Sequence, residues 1–312
     1  MGHSIFRSSV AQPVTFVLML ISACASPVPR PVAQNPSPMV EHTRTHVRIF
    51  ADDIAAGDRH TLEGLLPAAI RVFVPEGTDR MDARLLIHFH GSAFPAEHAT
   101  AASATSYVAA NVHLGAGSAA YERPFTDPSI LGRIIDEARR TAQVDTFRAV
   151  VLSGFSAGYG AIRAILRDST STARIEGVIL LDGLHTGYVP DGRVLHDGGR
   201  LDAVLLEPFL RFARLSMQGS KRFLITHSEI FPGTFASTTE TTDHIVDTLV
   251  LERTAVLEWG PVGMQQLSVV RAGSFEILGF AGNTAPDHVD HFHGLPAFLE
   301  RYDSLALLQG SR

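Results

Sequence analysis

The 312-residue sequence contains a single cysteine, Cys24. One thiol excludes an intramolecular disulfide framework and any zinc site built on several thiolates. Basic stretches are also missing. The formal charge of −6 is spread along the chain, so no segment could neutralise a run of phosphates, and no nucleic-acid partner is expected. The apolar run Val14-Thr15-Phe16-Val17-Leu18-Met19-Leu20-Ile21 is too short to span a bilayer. No internal repeat and no second folded domain can be read from the pattern. What is present is an apolar fraction of 45%, ordinary for a globular protein and sufficient for a sizeable core.

The apolar run follows Arg7 and ends in Ile21-Ser22-Ala23-Cys24. This ending resembles a bacterial lipobox: a branched aliphatic, two small residues, and a cysteine that takes the lipid and becomes the new N-terminus. The resemblance implies a lipoprotein signal peptide over residues 1–23 and an exported protein, lipid-anchored to the bacterial cell envelope through Cys24. Ala25, rather than an aspartate, after the cysteine favours the outer membrane if the host is Gram-negative. A plain secretory signal or a buried apolar helix is the alternative. Residues 24–42 read as a proline-rich tether, because Pro27, Pro29, Pro31, Pro36 and Pro38 favour extended chain over helix or sheet. The folded body, 43–312, begins near Thr43, and contact with a membrane is expected through the lipid.

From Thr45 onward short β-branched runs alternate with helical ones, which predicts a mainly parallel sheet covered on both faces. Strands are expected at 46–50, 70–74 and 85–90, close enough together for hairpins or an antiparallel edge, with a weaker one at 111–114. A helix begins at Asp127, with Pro128 in its first turn and Ile130, Leu131, Ile134, Ile135 and Ala138 on one face. The strand at 148–152, a helix over 157–167 and the strand at 177–181 form a βαβ unit. A helical pattern over 201–217 contains Pro208, where a kink or break is expected. A strand at 223–226, a helix over 238–253, two strands at 267–271 and 275–280 joined at Gly273, and a helix over 295–308 complete the body.

Gly154-Phe155-Ser156-Ala157-Gly158 fits G-x-S-x-G, with an apolar strand before it and a small-residue helix after it. That is the context a nucleophile elbow requires: a serine on so sharp a turn sits in strained backbone and leaves no room for bulk two residues to either side. A tight βα turn with a helix-capping serine is the bland alternative. On these residues the body resembles the α/β-hydrolase superfamily of serine esterases and lipases. The resemblance covers the body from about Thr45 in element order, with sequence-specific similarity limited to a few motifs.

The resemblance implies further roles. His90-Gly91-Ser92 stands where the superfamily places its oxyanion loop, so the N–H groups of Ala157 and Ser92 are the expected oxyanion donors; the glycine-rich HGGG form is absent. His88 and His90 share a strand face, and His288, His291 and His293 cluster with Asp287 and Asp290, but neither set has the offsets of a binuclear metallohydrolase. No metal or organic cofactor is expected. Chain order in the superfamily puts the acid and then the base after the nucleophile. His288, the first histidine after Pro286 and before the chain commits to helix, is the expected base, with His291 as the alternative. Asp182, ending the strand after the nucleophile helix, is the expected acid, with its carboxylate within about 3 Å of one His288 ring nitrogen and the other nitrogen facing Ser156 Oγ at a similar or slightly longer distance. Glu229, after the next strand where most members carry the acid, is the rival. Carboxylic ester hydrolysis is the implied reaction, on small or surface-presented esters, because residues 183–221 leave room for only a small cap. A peptidase or other acyl hydrolase on the same scaffold is one alternative, and a non-catalytic binding lipoprotein is another.

Overall fold

The structure, a computed structural model, describes Met1 and residues 45–305. The signal peptide, Cys24, the tether and Thr43 lie outside the described residues.

Ten strands form one sheet in the order β1-β2-β4-β3-β5-β6-β9-β12-β11-β10. These are β1 Gly57–Leu62, β2 Ile70–Pro75, β3 Arg84–Phe89, β4 Tyr107–Val112, β5 Val150–Phe155, β6 Gly177–Leu181, β9 Arg222–His227, β10 Thr254–Trp259, β11 Gln265–Ala272 and β12 Phe275–Phe280. A separate two-stranded ribbon pairs β7 Tyr188–Val189 with β8 Arg200–Leu201. From β4 to β12 all neighbours are parallel, while the flanking pairs at both edges are antiparallel. The helices are α1 Phe94–Ala102, α2 Ser118–Glu122, α3 Ser129–Ala142, α4 Tyr159–Arg167, α5 Ser169–Arg174, α6 Glu207–Met217, α7 Thr238–Leu249, α8 Ala285–His293 and α9 Leu295–Ser304. This mainly parallel central sheet with helices on both faces is the α/β-hydrolase fold.

Alternation along the strands builds two cores. Leu85, Ile87, Phe89, Val178 and Leu180 pack with Ile134 of α3, Ile162 of α4, Phe212 of α6 and Ile245 of α7. The intervening Leu86, Ile179 and Leu181 face the other way, onto Ala96 of α1, Phe292 of α8, and Phe298 and Tyr302 of α9. Among the described residues no helix is long and apolar enough to cross a membrane.

The strand order reverses beside β3. The chain steps from β3 outward to β4 and returns on the other side as β5. A crevice opens at the carboxyl ends of strands that diverge in this way, and ligands of open α/β sheets bind there. The loops after β3, β5, β6, β9 and β12 all leave from that edge, because those strands are parallel.

Several elements differ from the sequence pattern. Residues 46–50 form no strand. His46 Nδ1 lies 2.6 Å from Asp290 Oδ2, and Arg48 donates to Asp290 Oδ1 (2.9 Å) and to the Pro286 carbonyl (2.8 Å), so side chains pin this segment to α8 in place of a backbone ladder. The first strand is the polar β1, held by its antiparallel register with β2. Over 201–217 the break falls ahead of Pro208, which occupies the first turn of α6, where its missing N–H costs nothing. The helix expected to run to Arg253 stops at Leu249, with Val250 left-handed at φ 53°, and β10 follows. The last expected helix is described to Ser304; residues 306–308 lie outside the described residues.

Candidate active site

Ser156 begins a short 3-10 turn between the end of β5 and α4, with φ 46°, a left-handed conformation that a residue with a Cβ rarely adopts. Two close approaches fix this turn. A Cβ on Gly158 would lie 2.2 Å from the Phe89 carbonyl oxygen, so only glycine lets the end of β3 pack against the elbow. A Cβ on Gly183 would lie 2.9 Å from both the N and the O of Ser156, so the end of β6 is pressed against the serine's own backbone. Ala157 is the second residue of the turn, where backbone N–H groups have no intrahelical acceptor.

Asp182, immediately after β6, is also left-handed (φ 42°) and 1% exposed. Its carboxylate is surrounded by donors. Oδ1 accepts from Ser228 N (2.9 Å) and Thr238 Oγ1 (2.6 Å), and Oδ2 accepts from Ser228 Oγ (2.7 Å) and lies 2.7 Å from His288 Nδ1. Burial pushes the carboxyl up, but the charge of His291, the bond and charge of His288, and the Thr238 hydroxyl outweigh it and hold it well below the usual carboxylate range. Burial lowers His291 itself to about 4, so that ring is neutral at neutral pH and the hydrogen-bond donors carry the effect there.

His288 lies inside α8 and not ahead of it. The helix starts at Ala285, because Thr284 and Asp287 form a reciprocal capping box and Pro286 fits the first turn. The ring is 4.5 Å, centroid to centroid, from Phe155, the residue before Ser156, which in turn stacks on Phe292 at 5.0 Å. The Ser156 hydroxyl makes no hydrogen bond to His288 among the described residues.

The other sequence candidates separate. His291 is buried, with Nδ1 2.7 Å from Thr226 Oγ1 and its ring between Phe280 and Phe298. Glu229 is exposed, and among the described residues its carboxylate accepts only from Gly282 N at 3.3 Å. His293 packs against Phe94. Both His88 nitrogens face protein atoms, Ser153 Oγ at 3.1 Å and the His90 carbonyl at 2.9 Å, and burial lowers its pKa to about 3. His90 turns the chain with φ 75° and places Nδ1 2.8 Å from Tyr121 OH. Burial and the neighbouring His113 hold it at about 4. Both histidines thus brace the loop that carries Gly91 and Ser92. Among the described residues one group brings three ligand-type atoms within 4.8 Å of one another, His46, Asp287 and Asp290. The Arg48 guanidinium bound to the same Asp290 would oppose a cation there.

Ser156 and Ser92 line two different cavities. One, of about 410 Å³, is lined by Ser118, Ser156, Ala157, Tyr159, His185 and Phe235 among others. Burial lowers the His185 pKa, and its Nδ1 lies 3.0 Å from the Ala236 carbonyl. The other, of about 640 Å³, contains Gly91 and Ser92. Sequence reasoning missed Ser228, Thr238, His185 and Phe235. Ser228 alone carries a signal, standing at the end of β9 beside the rival acid position.

No family model matches the chain, and no curated protein matches it in sequence. Solved structures to which it is similar include an ester-hydrolase, EH1AB1, from the metagenome of Lake Arreo, at 16% identity and a TM-score of 0.48, covering 83% of this chain and 85% of that one. A hyperthermophilic esterase from the archaeon Pyrobaculum calidifontis aligns at 12% identity and 0.45, over 81% and 83%. One of two fungal esterases from Rhizomucor miehei aligns at 12% and 0.46, over 82% and 85%. At this level of likeness they carry no argument about the site, and it is the chain's own strand order that identifies an α/β-hydrolase fold.

Proposed function

We propose that the protein is a serine hydrolase that cleaves carboxylic esters by two-step acyl transfer. The observation that supports this most is the combination of Ser156, strained at φ 46° on the turn after β5, with the 2.7 Å Asp182–His288 contact at the same sheet edge. Ser156 Oγ attacks the ester carbonyl while His288 Nε2 takes its proton. Asp182, on the ring's other nitrogen, keeps the tautomer that leaves Nε2 free and stabilises the imidazolium as it forms. The N–H groups of Ala157 and Ser92 receive the developing oxyanion, His288 returns the proton to the leaving alkoxide, and water then releases the acyl enzyme by the same route. These steps use no metal or organic cofactor.

A fluorophosphonate probe tests the reading on the purified protein. Label should map to Ser156 and disappear in Ser156→Ala, and an ester and amide panel should show ester turnover that the variant lacks. A folded Ser156→Ala protein that still labels contradicts the mechanism. The cellular side of the proposal is an exported body held at the envelope by lipid on Cys24. Labelled palmitate fed to a bacterial host should enter the wild type and not Cys24→Ser, and a fully soluble unlabelled product contradicts the anchor.

A further inference from the structure

The larger cavity at the carboxyl edge has no part in the steps above beyond the Ser92 amide. It lies between the β3–α1 loop and β2, and its wall includes Arg71, Gly91, Ser92, Ala93, Asn111 and His113. Register pairs Arg71 of β2 directly with Asn111 of β4, and directly opposed residues project from one face of a sheet. Arg71 is exposed and makes no ion pair among the described residues. The other charges in the wall cancel, because Arg59 donates to Glu97 Oε2 from Nε (2.9 Å) and Nη2 (2.6 Å). One uncompensated positive charge therefore faces this cavity, in a protein whose formal charge is −6.

The surrounding groups have the same polarity. The nine-residue α1 starts at Phe94 with no side-chain cap, and its cap residue Ala93 is part of the wall, so the positive end of that helix borders the same space. His113 Nδ1 accepts from Gly91 N at 3.2 Å, which leaves its ring proton on Nε2 as a donor. Asn111 is 4% exposed; its Nδ2 donates to the Gly91 carbonyl at 3.3 Å, and among the described residues its Oδ1 has no partner. A buried acceptor left unpaired beside a free guanidinium is costly, and one N–H of Arg71 turned inward would satisfy it.

The position relative to Ser156 gives this cavity a purpose. The His90 ring stacks on Phe155 at 5.8 Å on one side and faces His113 at 5.6 Å on the other. The His90 ring thus contacts both Phe155, the residue before Ser156, and His113 in the wall of the Arg71 cavity. An ester has two arms. Tyr159, His185 and Phe235 in the wall of the Ser156 cavity offer room for one of them, and Ser92, whose N–H is the expected second oxyanion donor, stands in the wall of the Arg71 cavity, which makes that cavity the candidate for the other.

We infer that the Arg71 cavity is the subsite for a substrate arm ending in a carboxylate, so that the preferred substrates are esters carrying a free acid several bonds from the scissile one. The inference rests on the ester-hydrolase reading. In the bound state the guanidinium gives one N–H to Asn111 Oδ1 and the rest of its fork to the carboxylate, a planar match that an ammonium could not provide.

The test compares the mono-4-nitrophenyl ester of adipic acid with 4-nitrophenyl hexanoate, which has the same leaving group and chain length without the charge. The acid-bearing ester should show a KM lower by about fivefold or more, a preference that shrinks in high salt. Arg71→Gln should erase the difference, with the change falling on the KM of the acid-bearing ester. Arg80→Gln, which removes an exposed cation outside this cavity, should keep it. Equal KM values in the wild type, or a preference that survives Arg71→Gln, overturn the subsite and leave the hydrolase reading standing. If neither ester is hydrolysed, or Ser156→Ala hydrolyses both at the wild-type rate, the hydrolase reading fails and the subsite falls with it.

Discussion

Asparagine in place of Asp182 removes one charge and almost no volume, and the four bonds around the carboxylate determine how the amide must sit. The Ser228 N–H at 2.9 Å cannot reverse, so the amide oxygen must keep the Oδ1 position and the NH₂ must take that of Oδ2. There the Ser228 hydroxyl, 2.7 Å away, can rotate to accept, and His288 can accept only through an unprotonated Nδ1. The ring proton then moves to Nε2, the nitrogen that the proposed mechanism needs free to take the proton of Ser156. Turnover should fall by roughly 10³- to 10⁴-fold, or about 4–5.5 kcal/mol of transition-state stabilisation. The fold should lose much less, about 1–2 kcal/mol, because most contacts persist in altered form and a buried charge is removed. The assay is kcat and kcat/KM on a neutral activated ester, with the thermal midpoint measured alongside. Glu229→Gln, at an exposed position, should stay within about threefold of wild type. In a His288→Ala background the Asp182→Asn step should cost little more, since in the proposed mechanism the two act as one unit. An Asp182→Asn enzyme keeping more than about a tenth of wild-type turnover, or a loss of equal size in Glu229→Gln, refutes the reasoning.

Acid should unfold the protein through its buried histidines. His88, His227 and His291 are held by burial at about 3, 4 and 4, below the ordinary histidine value of 6.5. Each binds a proton in the unfolded chain before it does in the folded one, so stability is full above about 6.5 and is lost as pH falls toward about 4. The slope for three such groups is up to about 4 kcal/mol per pH unit. Urea midpoints at pH 7, 6 and 5 should fall progressively, and a flat series contradicts the account. Gly158→Ala would place a Cβ 2.2 Å from the Phe89 carbonyl oxygen, so the elbow must shift. A loss of at least about 2 kcal/mol is expected, together with a loss of fluorophosphonate reactivity, and a variant with wild-type midpoint and labelling would show that the contact is not what fixes the turn.

The central strands were legible because a parallel strand buried on both faces must be apolar throughout. The run at 177–181 coincides with β6, and 275–280 with β12. The sheet edges were not legible, for a related reason. In β1, Gly-Asp-Arg-His-Thr-Leu is mostly exposed and has no apolar period, and its strand character comes from six residues of register with β2. β10 follows α7 after a turn at Val250, a β-branched residue in left-handed backbone where glycine would be the usual signal. The opposite error arose at residues 46–50, whose β-branched pattern suits a strand while His46 and Arg48 tie it to Asp290, some 240 positions away in the chain.

The same division applies to the site. The elbow around Ser156 was legible because its constraint is local: the strain at the serine and the contact at Gly158 fall within three residues of each other. The surroundings of Asp182 were not, because Ser228 and Thr238 reach it from 46 and 56 positions away, and hydroxyl residues at such distances carry no local sign of what they bind. The end of β9 shows how the two scales meet. In place of a carboxylate it carries Ser228, whose N–H and Oγ both donate to Asp182, so this position supports the acid on β6 without supplying one. An acid there as well would set two carboxylates against each other in a buried site, and one would have to take up a proton. Donors at the end of β9 and an acid at the end of β6 are therefore a single electrostatic arrangement, in which the identity of residue 228 follows from that of residue 182.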